Sequence, residues 1–163
     1  MAVQPIVTFP DARLRAVAEP VTAFDEALRR LAADLVDTLR AAPGVGITAP
    51  HIGVAMRLVV LELTPRLVQT YVNPVVAWAS EATIRHVEGS VSMPGVAEAI
   101  ERRAQVRVGY RDLDGVERIE EADGFRAVCL QHEIDQLDGI FWIQRLSCLK
   151  RERLIKRYEK SGR

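Results

Sequence analysis

The sequence predicts an α+β fold: antiparallel strands packed around one central buried helix, with a further helix at the C-terminal end. Three observations carry this. Leucines recur at helical spacing over residues 22–42. Asp114-Gly115 sits between two strand-like stretches, the signature of an antiparallel hairpin. Directly after that hairpin, Phe125, Val128, Cys129 and Leu130 supply the apolar positions of a helix over 123–137.

Taken in order, residues 1–20 read as an extended lead-in punctuated by Pro5, Pro10 and Pro20, each of which disfavours helix at the residue before it. Ile6 to Phe9 is expected as a short strand, and Asp11 to Arg15 as one helical turn. The helix over 22–42 takes Thr22 as its cap and buries Phe24, Leu28, Leu31, Leu35 and Leu39 along one face. Pro43 to Gly53 is a turn whose two glycines allow close backbone approach, without the spacing of a phosphate-binding loop. Arg57 to Leu63 reads as a buried strand, and Thr70 to Trp78 as another that Asn73-Pro74 forces to an edge or a bulge. A third strand runs from Thr83 to Val87 and carries His86 on its face. Glu88 to Gly95 has loop chemistry. Strands over 103–112 and 116–121 flank the hairpin turn. Asp123 caps the central helix and Gly139 lies past its end. Ile140 to Ile143 is expected as a short strand. The last helix, over 147–160, starts at Ser147 and turns Leu149, Leu154 and Tyr158 inward.

At 163 residues the chain is read as one domain, 1–163, long enough to bury a core. Its net charge is zero, so bulk electrostatics selects no class of partner, and no specific nucleic-acid motif is present. Cys129, inside the central helix, is expected as a buried thiol. No apolar run approaches the roughly 18 residues of a membrane span, and no basic-then-apolar leader opens the chain, so a cytoplasmic protein is expected.

The chemistry concentrates at Gln131-His132-Glu133-Ile134-Asp135-Gln136. Residues four apart share a helix face, so His132 and Gln136 point the same way with Glu133 beside them. A His-Glu-x-x-His helix uses this geometry to hold a divalent metal, with the Glu as general base toward metal-bound water. Here Gln136 stands where the second His would be.

Three segments, Gly44–Gly53, Glu88–Ser92 and Gln131–Gln136, resemble in order and spacing the motifs of the peptide deformylases, G-x-G-[LI]-A-A-x-Q, E-G-C-[LV]-S and Q-H-E-[IM]-D-H. That family removes the formyl group from the N-formylmethionine of new polypeptides. The resemblance extends to Pro10–Arg15, Asp114-Gly115, Ala122–Gly124 and Leu137–Ile140. It implies a metal site for Fe²⁺, Zn²⁺ or Ni²⁺, with ligand positions at Ser90, His132 and Gln136, where the family has Cys, His and His. Only His132 is retained. It implies the catalytic position at Glu133, and substrate-binding positions at Gly44, Gly46, His51, Glu88, Gly89 and Val91. His51 replaces the family's Gln, which helps bind the substrate carbonyl oxygen.

A protonated hydroxyl and a neutral amide are poor exchanges for a thiolate and an imidazole. Disturbing even an outer partner of a metal site costs roughly 10–100-fold. No cofactor is therefore expected, or at most a divalent metal bound weakly, with hydrolysis lost or much weakened. Peptide N-termini are the expected partners of the cleft, whose strand-like contacts need no metal. The alternative is a working metal-dependent deformylase or amide hydrolase, rewired through His51 with His132 and with Glu133 or Ser90. Ser90 with His132 as a nucleophile–base pair is a further reading that requires the two within reach. Seven basic residues against two acids over 150–163 point to a solvated face or to contact with nucleic acid or an acidic partner. The resemblance makes the ribosome one such partner.

Overall fold

A computed structural model describes residues 2–162. Helix α1 (Glu26–Ala41) leads into strands β1 (Gly46–Thr48), β2 (Leu58–Thr64), β3 (Leu67–Ala79), β4 (Thr83–Ser90), β5 (Met93–Arg103), β6 (Gln105–Arg111) and β7 (Glu117–Asp123). Helices α2 (Gly124–Leu137) and α3 (Cys148–Lys160) follow, and short 3-10 turns occupy Ala12–Arg15, Ala49–Ile52 and Trp142–Arg145. One sheet has the order β1-β2-β3-β6-β7, and β4 pairs with β5 in a second; the pairings between these strands are antiparallel.

The continuous apolar run Leu58–Leu61 is explained by burial on both sides of the sheet. Leu58 and Val60 pack with Leu28, Ala32, Leu35 and Leu39 of α1. Val59 and Leu61 pack with Ala127, Leu130, Ile134 and Leu137 of α2. Helix α2 is buried around most of its girth, which is why it shows no strong apolar stripe. A third cluster, with Phe141, Trp142, Met93 and Ile100, takes in Leu154 and Tyr158 of α3.

Several expected elements differ. The first helix begins later: Asp25, not Thr22, is its cap, its side chain accepting from Leu28 N–H. Residues 21–24 before it belong to no helix or strand, and Asn73 Oδ1 accepts from Val21 N–H at 2.8 Å, a tie that a helix starting at Thr22 would have to accommodate. Ile6–Phe9 forms no strand; its N–H groups go singly to His51 and Ser92 carbonyls. Ile140–Ile143 is not a strand but leads into the 3-10 turn at Trp142. The expected loop at 88–95 is mostly strand: β4 runs on to Ser90, β5, which was not anticipated, begins at Met93, and only Val91-Ser92 form the hairpin turn. Its Pro-Gly-Val-Ala-Glu-Ala stretch has weak strand propensity, and pairing with β4 decides its conformation. Asn73-Pro74 does mark a bulge, inside the sheet, with Asn73 at φ 51°. Phe125 and Leu149 are exposed, not inward: each lies in the first turn of its helix, beyond the packed face. Ser147 caps α3 as expected.

Candidate functional site

The side chains singled out from the sequence converge on a cleft of about 380 Å³ between α2, the β4–β5 turn and the segment leading into β1. Gly44, Gly46, His51, Glu88, Gly89, Ser90, Val91, His132 and Glu133 all line it. Gln136 does not. It is buried, and its Nε2 donates to the Leu14 carbonyl at 2.7 Å.

Helix α2 delivers His132 and Glu133 from adjacent positions. His132 Nδ1 is hydrogen-bonded to Glu88 Oε1 at 2.8 Å, so Nδ1 donates and Nε2 is left for the cleft. Glu88 in turn receives Nε and Nη2 of Arg102, at 2.8 and 2.9 Å. Arg102 also reaches Asp135 at 2.6 Å, and Arg145 clamps the same carboxylate with two bonds. A chain of charges therefore runs from the surface at Arg145 to the imidazole in the cleft. Burial alone would raise the Glu88 carboxyl, but hydrogen bonds from Arg102 and His132 hold it at about 2. Burial alone would lower His132; the carboxylates of Glu133 and Glu88 outweigh that and raise it.

Glu133 reaches the wall at Gly46, where a Cβ would come within 2.5 Å of Oε2. Burial pushes this carboxyl up to about 6, against the pull of His132. His51 stands on the 3-10 turn after β1, and Thr48 N–H donates to its Nδ1 at 2.9 Å. Burial, with the charge of His132, pushes the imidazole down to about 3, so it is neutral. Nε2 of His51 and Oε1 of Glu133 are buried without a hydrogen-bond partner among the described residues.

Ser90 Oγ accepts from Ser92 N–H at 3.1 Å, and no hydrogen bond joins it to His132 among the described residues. The nucleophile–base arrangement is therefore not formed. His86 lies on β4, its ring 4.8 Å from that of Phe125. Among the described residues, no group of three or more His, Cys, Asp and Glu side chains is arranged to hold a metal ion.

The family model for polypeptide deformylase matches residues 3–152. The chain belongs to this family. A relative from Brucella melitensis named "Peptide deformylase-like" is 65% identical over the full length of both chains. A peptide deformylase-like protein of Brucella suis is equally similar, and the same strain has a second relative named "Peptide deformylase", 41% identical over 98% of this chain and 94% of that one. Among solved structures, a peptide deformylase from Legionella pneumophila matches with a TM-score of 0.94 at 36% identity, over 99% of this chain and 96% of that one. One from Ehrlichia chaffeensis, in complex with actinonin, gives 0.93 at 34% identity, over 100% and 99%. The deformylase fold, with its C-terminal helix, is thus the fold of this chain.

Arg102, Asp135 and Cys129 were not reached from the sequence as parts of the site. Arg102 lies on the unanticipated strand β5. The one available signal was Glu88 itself: a buried carboxylate requires a cationic or hydrogen-bonding partner. Cys129 is a buried thiol as expected, and it also lines the cleft.

Proposed function

We propose that this chain is a peptide deformylase-like protein whose cleft binds peptide N-termini, and in which hydrolysis through the family's metal is lost or much weakened. One observation carries the reading. At the family's third ligand position, Gln136 Nε2 donates to the Leu14 carbonyl and the residue is not among those lining the cleft, so what remains there is at most a neutral amide oxygen. At another ligand position, the Ser90 hydroxyl accepts from a backbone N–H. With His132 as the one good donor left, the residues present do not fit a tightly held transition metal. Without such a metal, Glu133 has no activated water to deprotonate.

Two further points support this. Brucella suis has both a peptide deformylase-like protein and a peptide deformylase, so the deformylase-like form there is accompanied by a second family member. The rewired site through His51 meets an obstacle at Thr48, whose backbone N–H already uses the Nδ1 lone pair. Exposed Lys150, Arg153, Lys156, Arg157 and Lys160 on α3 are the surface on which ribosome contact would rest. No helix of the described residues is long and apolar enough to cross a membrane.

The test is elemental analysis of protein purified without added metal, followed by a formyl-peptide assay on wild type and on Ser90→Cys with Gln136→His. The reading expects sub-stoichiometric metal and negligible turnover in wild type, with metal retained by the double variant. Near-stoichiometric metal, with turnover that the double variant does not improve, establishes the rewired enzyme instead.

A further inference from the structure

Helix α1 covers only part of one side of the five-stranded sheet, packing on Leu58 and Val60 of β2 and Val72 of β3. On the other side, Val106, Val108 and Ala122 are buried with α2. Alternation along the strands therefore turns Arg107, Gly109 and Arg111 of β6, and Glu117, Ile119 and Glu121 of β7, toward the side that α1 leaves bare. Ile119 there is 75% exposed, and Val75 of β3, opposite Gly109, is 61% exposed. These two walls and the glycine floor border a groove of about 740 Å³.

Within one chain, Gly109 has no reason to be glycine. It stands mid-strand, its φ is not positive, and a Cβ there would meet no atom of the described residues within 4 Å beyond its chain neighbours. Glycine weakens a strand, and one in a strand interior often marks the close approach of another group.

The rows across β6 and β7 supply that group. Arg107 faces Glu121, Gly109 faces Ile119 and Arg111 faces Glu117. Each row sets a feature beside its complement: cation and anion, hollow and knob, cation and anion. A second copy can lie face to face on the first about a two-fold axis parallel to the strands and midway between β6 and β7, within the small rotation that sheet twist imposes. Strand β6 of each copy then lies over β7 of the other. Ile119 of each enters the hollow over Gly109 of the other, between that copy's Val75 and Ile119. Arg107 and Arg111 of each meet Glu121 and Glu117 of the other. Within one chain these charges pair at 3.2 and 3.1 Å and are exposed, so they can be exchanged across the axis. The contact is isologous and closes at two copies. An axis across the strands would stack arginine on arginine, glutamate on glutamate and Ile119 on Ile119, so the pattern selects the first arrangement.

We infer that this bare face of β6 and β7 is a docking surface for a second copy of the same chain. It is independent of the cleft and of what the cleft binds. The patch spans a few strands only, which places it at the small end of specific interfaces and makes the dimer weak.

Sedimentation of the full chain from about 5 to 500 μM in low salt tests it, a range that spans the dissociation of a small interface. The mass is expected to rise from monomer toward dimer and no further. Gly109→Val fills the hollow and should weaken association by about tenfold or more. It should do so with no loss in urea midpoint, since its Cβ has room and valine suits a strand. Ile119→Asp should weaken association equally. Arg107→Glu and Glu121→Arg should each weaken it alone, by setting like charges across the axis. Mixed in equal amounts, these two variants should dimerise again, because positions 107 and 121 then face opposite charges across the axis. If Gly109→Val does not fold, the mixing experiment decides. A wild type monomeric throughout would leave the face to a different partner and overturns the inference. Growth beyond two copies, a dimer indifferent to Ile119→Asp or to folded Gly109→Val, or charge variants that fail to pair on mixing each overturns it as well.

Discussion

Gln136 Nε2 donates to the backbone carbonyl of Leu14 at 2.7 Å, joining the central helix to the N-terminal lead-in across 122 positions of sequence. The side chain at a ligand position of the family thus holds the fold together. Both partners are buried, so removing the amide leaves a carbonyl without a donor. Gln136→Ala should destabilise the protein by about 1–3 kcal/mol, read as a lower urea midpoint at unchanged slope. A neutral result would mean that the amide is free to serve the cleft.

At Gly46, β1 lies against Glu133 of α2. A Cβ there would lie 2.5 Å from Glu133 Oε2 and 2.8 Å from Leu61 Cδ2. Leu61 is held in the core, and Glu133 can give way only by turning into the cleft it lines. Gly46→Ala should cost about 1–3 kcal/mol by overpacking. It should also weaken any ligand that Glu133 engages. Equilibrium unfolding and formyl-peptide titration on the same variant check both.

The reach of sequence reading follows the range of the interactions involved. The span of the central helix, its Gly139 terminus and the hairpin at Asp114-Gly115 stand where expected, whereas Asp123 at the start of that helix makes no side-chain capping bond and Phe125 is exposed. The start of α1 moved to Asp25, and a side chain 52 positions away, Asn73, ties the Val21 N–H ahead of it. Strand β5 was invisible because its residues are poor strand formers and only β4 makes them pair. Arg102 disappeared with it. The convergence of His51, Glu88 and His132 was legible through the family motifs. The tautomer of His51 and the diversion of Gln136 to Leu14 were not, since each depends on where one backbone group points.

Arg102 is the hub between Glu88 and Asp135, with its side chain and that of Glu88 each 4% exposed. Arg102→Met leaves two carboxylates short of a buried counter-ion and should cost about 3–5 kcal/mol. Arg145 grips the same Asp135 from a half-exposed position. Solvent screening limits that outer pair, and Arg145→Met should cost below about 1 kcal/mol. Thermal unfolding of the two variants side by side tests the ranking. Equal losses would place the strength of the chain of charges at its surface end.

The two cysteines should separate by reactivity. Cys148 is exposed, whereas Cys129 is buried in the cleft wall. Burial, with the nearby Glu133 and Glu88 carboxylates, pushes its thiol up to about 12. The thiolate is the reacting form, so an aromatic disulfide reagent at pH 8 should titrate one thiol in the native protein and two in urea. Two fast thiols in the native state would show the cleft to be open around Cys129.

Glu133 should make stability fall as pH rises. Its ordinary value is 4.5, and burial lifts it to about 6 in the folded protein. The folded state therefore holds a proton that the unfolded state releases first. The cost of ionising Glu133 in place is absent below about pH 4.5, grows between 4.5 and 6, and is complete above 6. A shift of this size corresponds to about 2 kcal/mol. Glu88 acts in the opposite sense and at lower pH. Held at about 2, it contributes stability that is lost as pH falls below 4.5, and wild type and a Glu133 variant share that loss. Glu133→Gln should therefore match wild type near pH 4.5 and exceed it by about 1–2 kcal/mol at pH 7.5, measured as urea midpoints across the range. A gain that does not vary with pH would trace to packing against Gly46 and not to the charge. A metal held at neutral pH would reverse the sign, since a cation favours the ionised carboxyl that burial penalises.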